Sequence, residues 1–109
     1  MYVTNRSCLP SDLFEGSRHG PAKISIIFSD TEPGGGPALH RHTYDETWVV
    51  LEGPVQVWIG SETGEAESGD IVVSPANTAH RFQNVGEAPA RLVCIHASPR
   101  VITEWLPES

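Results

Sequence analysis

The sequence predicts an all-β protein, built as a sandwich or barrel of short strands. Runs of β-branched and aromatic residues recur at roughly ten-residue spacing, and glycine, proline and asparagine separate them. No helical period of useful length precedes the C-terminus. A chain of 109 residues has room for one domain with one core, which can be stable without disulfides.

The N-terminal segment, residues 1–22, shows no clear period and is interrupted by proline and glycine. We expect it to hold at most an edge strand. The barrel is expected to span residues 23–109. Its first strand carries Ile24, Ile26 and Phe28 on one face and two serines on the other, which is the pattern of a half-buried strand.

The later strands follow from the same kind of pattern. The polar run 61–68 is predicted to be a hairpin turn with at most a weak strand, and residues 101–107 are either a strand or a single helical turn. Trp105 and Leu106 are expected to pack over a sheet edge or a dimer seam rather than to take part in chemistry. The intervening strands are predicted at 46–51, 55–59, 71–74, 79–85 and 90–97.

The charge and the cysteines of the chain argue against several classes of partner. The formal net charge is −7, and Lys and Arg form no cluster, so neither nucleic acid nor an anionic membrane surface is an expected partner. No stretch is long and apolar enough to span a membrane, and the N-terminus lacks the order of a signal peptide. Cys8 and Cys94 form no disulfide pattern. We therefore expect a reducing, cytoplasmic location.

Two closely spaced histidines in a glycine-rich stretch indicate a metal site. His40 and His42 are two residues apart, so an extended backbone would place both imidazoles on one face. Glu46 has the same parity and can begin the next strand, and His80 supplies a further donor at the head of a later strand. Imidazole and carboxylate donors together suit a divalent transition metal. The alternative is a pair of solvated loop histidines.

Two spaced motifs contain these four donors. Gly-x5-His-x-His-x3-Glu-x6-Gly fits from Gly34, and Gly-x5-Pro-x-Gly-x2-His-x3-Asn fits from Gly69, except that Asn77 stands in place of a glycine. In these motifs the chain resembles a small single-domain cupin, over residues from about 24 to about 97. Asparagine tolerates a positive φ better than other non-glycine residues, so the turn at this position is expected to be kept.

The resemblance implies both a fold and a chemistry. The fold would be a double-stranded β-helix, or jelly-roll barrel, and family habit favours a homodimer. In small cupins an early edge strand often pairs with the neighbouring subunit, so a strand within residues 1–22 can be exchanged in this way. His40, His42, Glu46 and His80 would hold one divalent transition metal ion, and Fe, Mn, Ni, Cu and Zn are all compatible with these donors. Two positions of an octahedral ion would remain for water, substrate or dioxygen.

Strand parity gives a first description of the pocket. Trp48 shares the face of Glu46. Phe82 shares that of His80, so the metal would lie in an apolar pocket suited to a small-molecule ligand. His96 is a candidate donor that supports a metal ligand, or a general base, and a buried histidine bonded only to backbone is an equal alternative. Further candidates for substrate contact are Tyr44 and Gln56.

Two classes of function remain open at this point. One is a metal-dependent enzyme that acts on a small organic molecule, as a dioxygenase or an isomerase. The other is a non-catalytic module that binds a metal or a small ligand, such as a sensor or a storage protein. Open coordination positions favour the enzyme, whereas the lack of an inserted lid and the small number of polar pocket residues favour the binding module.

Overall fold

The computed structural model describes residues 1–108 as two antiparallel β-sheets packed against each other, which confirms the predicted all-β fold. Within these residues the only helices are three short 3-10 turns, at Arg6–Cys8, Pro10–Asp12 and Gly16–Arg18. No helix in the described range is long and apolar enough to cross a membrane. The strands are β1 (Leu13–Glu15), β2 (Ser25–Thr31), β3 (His40–Arg41), β4 (Glu46–Glu52), β5 (Val55–Ile59), β6 (Glu62–Ala66), β7 (Ile71–Ser74), β8 (His80–Asn84), β9 (Ala90–His96) and β10 (Glu104–Trp105).

Neighbouring strands in each sheet come from distant parts of the chain. The first sheet has the order β1-β2-β9-β4-β7, and the second has the order β10-β3-β8-β5-β6. After β2 the chain therefore crosses repeatedly from one sheet to the other. This alternation is the arrangement of a double-stranded β-helix, or jelly roll, as the sequence predicts.

The core lies between the two sheets and takes every second side chain of the central strands. In β4, Glu46, Trp48 and Val50 are buried, whereas the residues between them are partly exposed. Trp48 meets Phe82 of β8 edge to face, with ring centroids 5.2 Å apart. Burial of an apolar side chain of this size stabilises a fold by about 1.5–3 kcal/mol. The buried apolar side chains are Trp48, Val50, Val55, Ala66, Phe82, Ala90, Leu92 and Cys94.

In strand β2, the face that packs against the core is the one that the sequence pattern placed outside. Ile27 packs against the core, so Ile26 and Phe28, of the opposite parity, face outward. The serine face is inside: Ser25 is fully buried and donates its hydroxyl to the Ser98 carbonyl at 2.9 Å. Alternation shows which residues share a face, but the covered face is chosen by the strands packed against it.

Three segments without a clear sequence pattern also form strands. Residues 61–68 contain β6, which pairs with β5 over its whole length, so the hairpin turn is confined to the residues around Gly60. The C-terminal segment forms the short strand β10 rather than a helical turn. β1 is an edge strand and pairs with β2 of the same chain. A domain boundary after residue 22, and strand exchange in a dimer, stay predictions.

The outer face of the first sheet is apolar across three adjacent strands. Val49 of β4 lies between Ile71 of β7 and Val93 of β9. Val73 and Ile95 flank the same strand one row further along. Ile71 and Val73 keep 66% and 56% of their surface exposed. We call Val49, Ile71, Val73, Val93 and Ile95 the outer patch.

The turn before β8 keeps its shape although an asparagine replaces the motif glycine. Asn77 adopts a positive φ of 60°, and its backbone N–H donates to the His42 carbonyl at 2.7 Å. The turn that leads into His80 is therefore tied to the loop that carries His42. Gly34 and Gly69, the first residues of the two motifs, also have positive φ, which explains the glycines without any ligand contact.

Substitutions at Asn77 should separate backbone strain from packing, because its side chain is exposed. We expect Asn77→Gly to leave the free energy of unfolding within about 0.5 kcal/mol of the parent. Asn77→Val should lower it by about 1–2 kcal/mol, since a β-branched residue is strained at positive φ. Urea unfolding of the three proteins measures both effects, and a valine variant as stable as the parent would show that the turn is not held at positive φ in solution.

Candidate metal centre

Four buried polar side chains converge where β4 and β8 begin. His40 in β3 is the direct cross-strand partner of His80 in β8. Such a pair has its Cβ atoms about 4.5–5.5 Å apart, so the two imidazoles start close together. Glu46 is the first residue of β4, and His42 lies in the short loop between β3 and β4. One ligand atom from each of the four residues lies within 4.8 Å of the others.

Backbone carbonyls fix the orientation of all three histidines. The Nδ1 atom lies 2.7 Å from the Ala38 carbonyl oxygen in His40 and 2.8 Å from that of Ile102 in His42. His80 Nδ1 lies 3.0 Å from the Thr78 carbonyl oxygen and 2.8 Å from the buried Ser74 hydroxyl oxygen, which can accept the same proton. A carbonyl oxygen only accepts hydrogen bonds, so each contact places the proton of the neutral ring on Nδ1. Each Nε2 atom is then a bare lone pair directed toward the centre of the cluster.

The centre of the cluster contains electron-rich atoms at short distances. The Nε2 atoms of His40 and His80 are 3.1 Å apart. Glu46 Oε1 lies 2.9 Å from His42 Nε2 and 3.0 Å from His80 Nε2. Although His42 Nε2 lies close to the carboxylate, it has no partner in hydrogen-bond geometry within residues 1–108. A buried polar atom without a partner costs about 1–3 kcal/mol.

The pKa values of the cluster show how closely these groups interact. Burial alone would raise the pKa of Glu46, but contacts with His42, His80 and His96 hold it well below its usual range, so the carboxylate is anionic. Burial lowers the pKa of His40, against the opposing effect of its Ala38 hydrogen bond. Burial also acts to lower the pKa of His42, but the Glu46 carboxylate and the Ile102 carbonyl outweigh it and raise the pKa.

These observations fit a bound cation. In their neutral form the three imidazoles, with Nδ1 already engaged, offer three Nε2 lone pairs, and the carboxylate adds a negative charge. A divalent ion would satisfy all four atoms together, including the unpartnered His42 Nε2. The hydrogen bonds to backbone are of the kind that orient imidazole ligands in metal sites.

A cavity of about 570 Å³ opens beside the cluster, between the two sheets. Its walls are mainly apolar, and two hydroxyl groups that are hydrogen-bonded to each other, those of Ser29 and Thr31, add polarity on the β2 side. Both aromatic wall residues expected from strand parity line it. Trp48 also donates its indole N–H to Glu46 Oε2 at 2.8 Å, and Phe82 contributes an apolar surface.

His96 and Tyr44 lie beside the cluster, but only one of them faces the cavity. His96 is buried, lines the cavity, and has its Nε2 atom 3.3 Å from Glu46 Oε2. Its Nδ1 atom lies 2.8 Å from the Tyr44 hydroxyl, so it is bonded to a side chain and not to backbone. Tyr44 stacks on the His42 ring behind the cluster and is absent from the cavity wall. A substrate contact is therefore not expected at Tyr44.

Gln56 lies outside the site, contrary to its assignment as a candidate substrate contact. Its side-chain amide donates to Thr63 Oγ1 at 2.7 Å, across the β5–β6 pair. The neighbouring residues Val55 and Val57 take the inward positions of β5. Gln56 therefore has the parity of the outer face and cannot reach the cavity.

The C-terminal segment is the part of the site that the sequence did not indicate. Val101, Thr103 and Trp105 line the cavity, and the Trp105 ring centroid lies 5.1 Å from that of His40. The Ile102 carbonyl between them is the acceptor that orients His42. The only sequence signal was the alternation of these three residues, which is too short to distinguish a wall from an edge cover. Trp105 thus faces the site, in addition to closing a sheet edge.

Comparison with known sequences gives a family match. A family model of the cupin domain matches residues 27–96. An uncharacterized protein of Methanocaldococcus jannaschii is 26% identical over 99 residues, which cover 90% of this chain and 79% of that protein. Polyketide synthase CurC of Streptomyces cyaneus is 38% identical over 68 residues, which cover 62% of this chain and 44% of that protein. The chain therefore spans less than half the length of CurC.

Solved structures share the architecture. A double-stranded β-helix domain protein of Klebsiella pneumoniae superposes with a TM-score of 0.72 at 22% identity, over 79% of this chain and 76% of that one. Oxalate decarboxylase of Bacillus subtilis, which has Mn(II) centres, superposes with a TM-score of 0.80 at 19% identity, over 86% of this chain and 27% of that one. At these identities the likeness concerns the fold alone.

The geometry of the cluster leads to a prediction about how many metal ions the chain binds. After incubation with Fe, Mn, Ni, Cu or Zn salts and desalting, we expect about one divalent ion per chain by element analysis. His42→Ala should weaken retention by more than about 100-fold, because it removes one of the four donors. His19→Ala is the matched control, since His19 packs against Tyr2 and Phe14 away from the cluster. A wild-type chain that retains none of these ions would exclude the centre.

Proposed function

The chain belongs to the cupin domain family, and from this premise we propose that it is a metal-dependent enzyme acting on a small organic molecule, as a dioxygenase or an isomerase. One divalent transition metal ion would be held by His40, His42, Glu46 and His80. The observation that carries the proposal is the set of three backbone hydrogen bonds that direct the histidine Nε2 atoms to one point. Such preorganisation favours binding because the ligands need no rearrangement.

Several metals suit these donors, and Mn(II) is the first to test. Imidazole and carboxylate ligands accept Fe, Mn, Ni, Cu and Zn. The fold match to oxalate decarboxylase, a protein with Mn(II) centres, supports manganese as a starting point. When bound, the ion would act as a Lewis acid toward a substrate oxygen or as a site for dioxygen.

The residues of the chain determine what else the site can do. Glu46 supplies a negative charge that offsets part of the charge of a divalent ion. Trp48, Phe82 and Ile27 provide apolar walls that exclude water from a bound substrate. The Ser29 and Thr31 hydroxyls can hydrogen-bond a substrate oxygen on the side of the cavity formed by β2.

The charge of the cavity favours a neutral substrate. None of the described residues that line it is a lysine or an arginine, so an anionic group would have only the ion as counter-charge. Asp30 is paired with Arg6 at 2.9 Å and Arg91 at 3.3 Å, whereas Glu32 adds a negative charge to the lining. An enol or a phenol with an aromatic or aliphatic body meets these conditions.

Oxygen uptake and substrate conversion test the proposed activity. The full chain, loaded with Mn(II) or Fe(II) or left metal-free, is incubated with a panel of small enols and phenols. A dioxygenase should consume oxygen with the substrate only when loaded, and an isomerase should convert the substrate without oxygen. His42→Ala, incubated with the same metal, should be inactive in either case. Saturable binding of panel compounds without turnover would instead establish a binding module.

That non-catalytic module, such as a sensor or a storage protein, is the second candidate. It is favoured because the polar residues of the cavity outside the cluster are mostly engaged with other protein groups, Ser29 with Thr31 and Asp30 with Arg6 and Arg91. General acid–base catalysis requires side chains that are positioned to exchange a proton with the substrate. His96 lines the cavity, but the Tyr44 hydroxyl lies 2.8 Å from its Nδ1 atom and its Nε2 atom is directed at Glu46 Oε2, so it is a poor general base.

We also propose that two copies of the chain associate through the outer patch. This surface is apolar and without charged members, and a second copy would present the same surface about a two-fold axis. The net charge of −7 argues against nucleic acid and anionic membranes as partners. The exclusion of these partners and the cytoplasmic location remain predictions.

A charge-matched pair of variants tests the dimer. Ile71→Lys combined with Val73→Lys places two cations in the outer patch and should convert a dimer to a monomer, as measured by light scattering during size-exclusion chromatography. Glu65→Lys changes the net charge by the same amount on the outer face of the second sheet, where Glu65 is exposed opposite Gln56, and should leave the dimer intact. A monomeric parent at micromolar concentration, or a dimeric double variant, would contradict the assignment.

A further inference from the structure

The two oxygens of Glu46 have different surroundings. Oε1 faces the cluster, at 2.9 Å from His42 Nε2 and 3.0 Å from His80 Nε2. Oε2 faces the opposite way, toward the Trp48 indole N–H at 2.8 Å and His96 Nε2 at 3.3 Å. One oxygen thus points to the position of the ion, and the other is surrounded by side chains that are not metal ligands.

The hydrogen bonds of Tyr44 assign the tautomer of His96. The Tyr44 oxygen accepts the backbone N–H of Ile102 at 3.1 Å, so its own proton must point elsewhere. His42 Nδ1, 3.4 Å away, already donates to the Ile102 carbonyl and cannot accept it. The remaining acceptor is His96 Nδ1, at 2.8 Å. The neutral His96 ring therefore carries its proton on Nε2.

His96 therefore has the opposite tautomer to the three histidines in the cluster. Their Nδ1 atoms are protonated and their Nε2 atoms are lone pairs, whereas His96 presents an N–H toward Glu46 Oε2 and the cavity. The contact with Oε2 is oblique, so this N–H has no partner in full hydrogen-bond geometry within residues 1–108, although the ring is 98% buried. A ring in this state donates a hydrogen bond and does not bind a cation through Nε2.

We propose that Trp48 and His96 are positioning residues that hold Glu46 as a monodentate ligand: the Trp48 N–H donates to Oε2, the His96 N–H faces the same oxygen at 3.3 Å, and Oε1 is left for the ion. The inference rests on the proposed metal centre and specifies how its carboxylate binds. A carboxylate can bind a metal through one oxygen or through both. With both oxygens bound, Glu46 would take one of the two positions that the four protein donors leave for substrate. The donor pair on Oε2 therefore keeps that position open.

The geometry also explains why Trp48 occurs in an otherwise apolar part of the core. Its ring fills the space next to Phe82, which phenylalanine could also do, but its N–H gives buried Oε2 a partner. An ionised carboxylate oxygen without a donor would be costly at this depth. The indole thus contributes to packing with its ring and to ligand orientation with its nitrogen.

Mn(II) titration of the full-length chain tests the proposal in three variants. Trp48→Phe keeps the aromatic ring and removes the N–H. His96→Leu removes the second donor, and His96→Gln restores an N–H of similar reach. Mn(II) affinity is followed by electron paramagnetic resonance, and the number of waters on bound Mn(II) is counted by water-proton relaxation. Far-ultraviolet circular dichroism checks that each variant folds.

We expect Trp48→Phe and His96→Leu each to weaken Mn(II) binding by about 10–100-fold, as is usual for residues that orient a ligand. Both should also lower the number of bound waters, because the freed Oε2 turns to the ion. His96→Gln should recover the water count of the parent. A purely structural role would not change this count. If Trp48→Phe does not fold, the comparison of His96→Leu with His96→Gln decides.

Three results would overturn the proposal. Unchanged affinity and water count in the folded variants would show that the donors do not control Glu46. If His96→Leu loses Mn(II) as completely as His42→Ala does, and His96→Gln does not recover it, His96 is itself a metal ligand. Absence of metal binding by the parent chain would refute the metal centre itself. This outcome is measured on the parent alone, so it can be told apart from failure of the positioning role, which is measured on the variants.

Discussion

The site depends on hydrogen bonds from three imidazole Nδ1 atoms to backbone carbonyls. These bonds, to Ala38, Thr78 and Ile102, orient the rings and place the proton of each neutral ring away from the centre. The Nε2 lone pairs then face one another and the Glu46 carboxylate in the interior of the barrel. The arrangement is unfavourable unless a positive charge lies among these atoms, so the same bonds that orient the rings also give the cluster the geometry of a cation site.

The double-sheet fold makes this arrangement rigid. The cross-strand pairing of β3 with β8 sets His40 opposite His80, and the pairing of β4 with β9 sets Glu46 opposite His96. These registers are maintained along the strands by the alternate burial of large side chains, so a shift of one residue would expose the core together with the ligands. The donors therefore lie on strand ends whose position is determined by the whole barrel, and not on an isolated loop.

Much of the site is recognisable in the chain itself, and the misses have a common cause. The spacing of His40, His42, Glu46 and His80 identified the cluster because it consists of residue types with few other uses at such spacing. Gln56 was misplaced and the wall formed by Trp105 was missed. In both cases local alternation indicates which neighbours share a face but not what the face meets. The reversed face of β2, with Ser25 inside, has the same explanation.

The sequence by itself determined the all-β class, the positions of most strands and the four clustered side chains, because these follow from residue types and spacings within short stretches. Only the tertiary structure decided the orientation of His96, the separate surroundings of the two Glu46 oxygens and the role of the C-terminal segment. Tyr44 meets His96 across 52 residues, and His42 meets Ile102 across 60. Contacts over such separations depend on which strands pair, and no local pattern records that pairing.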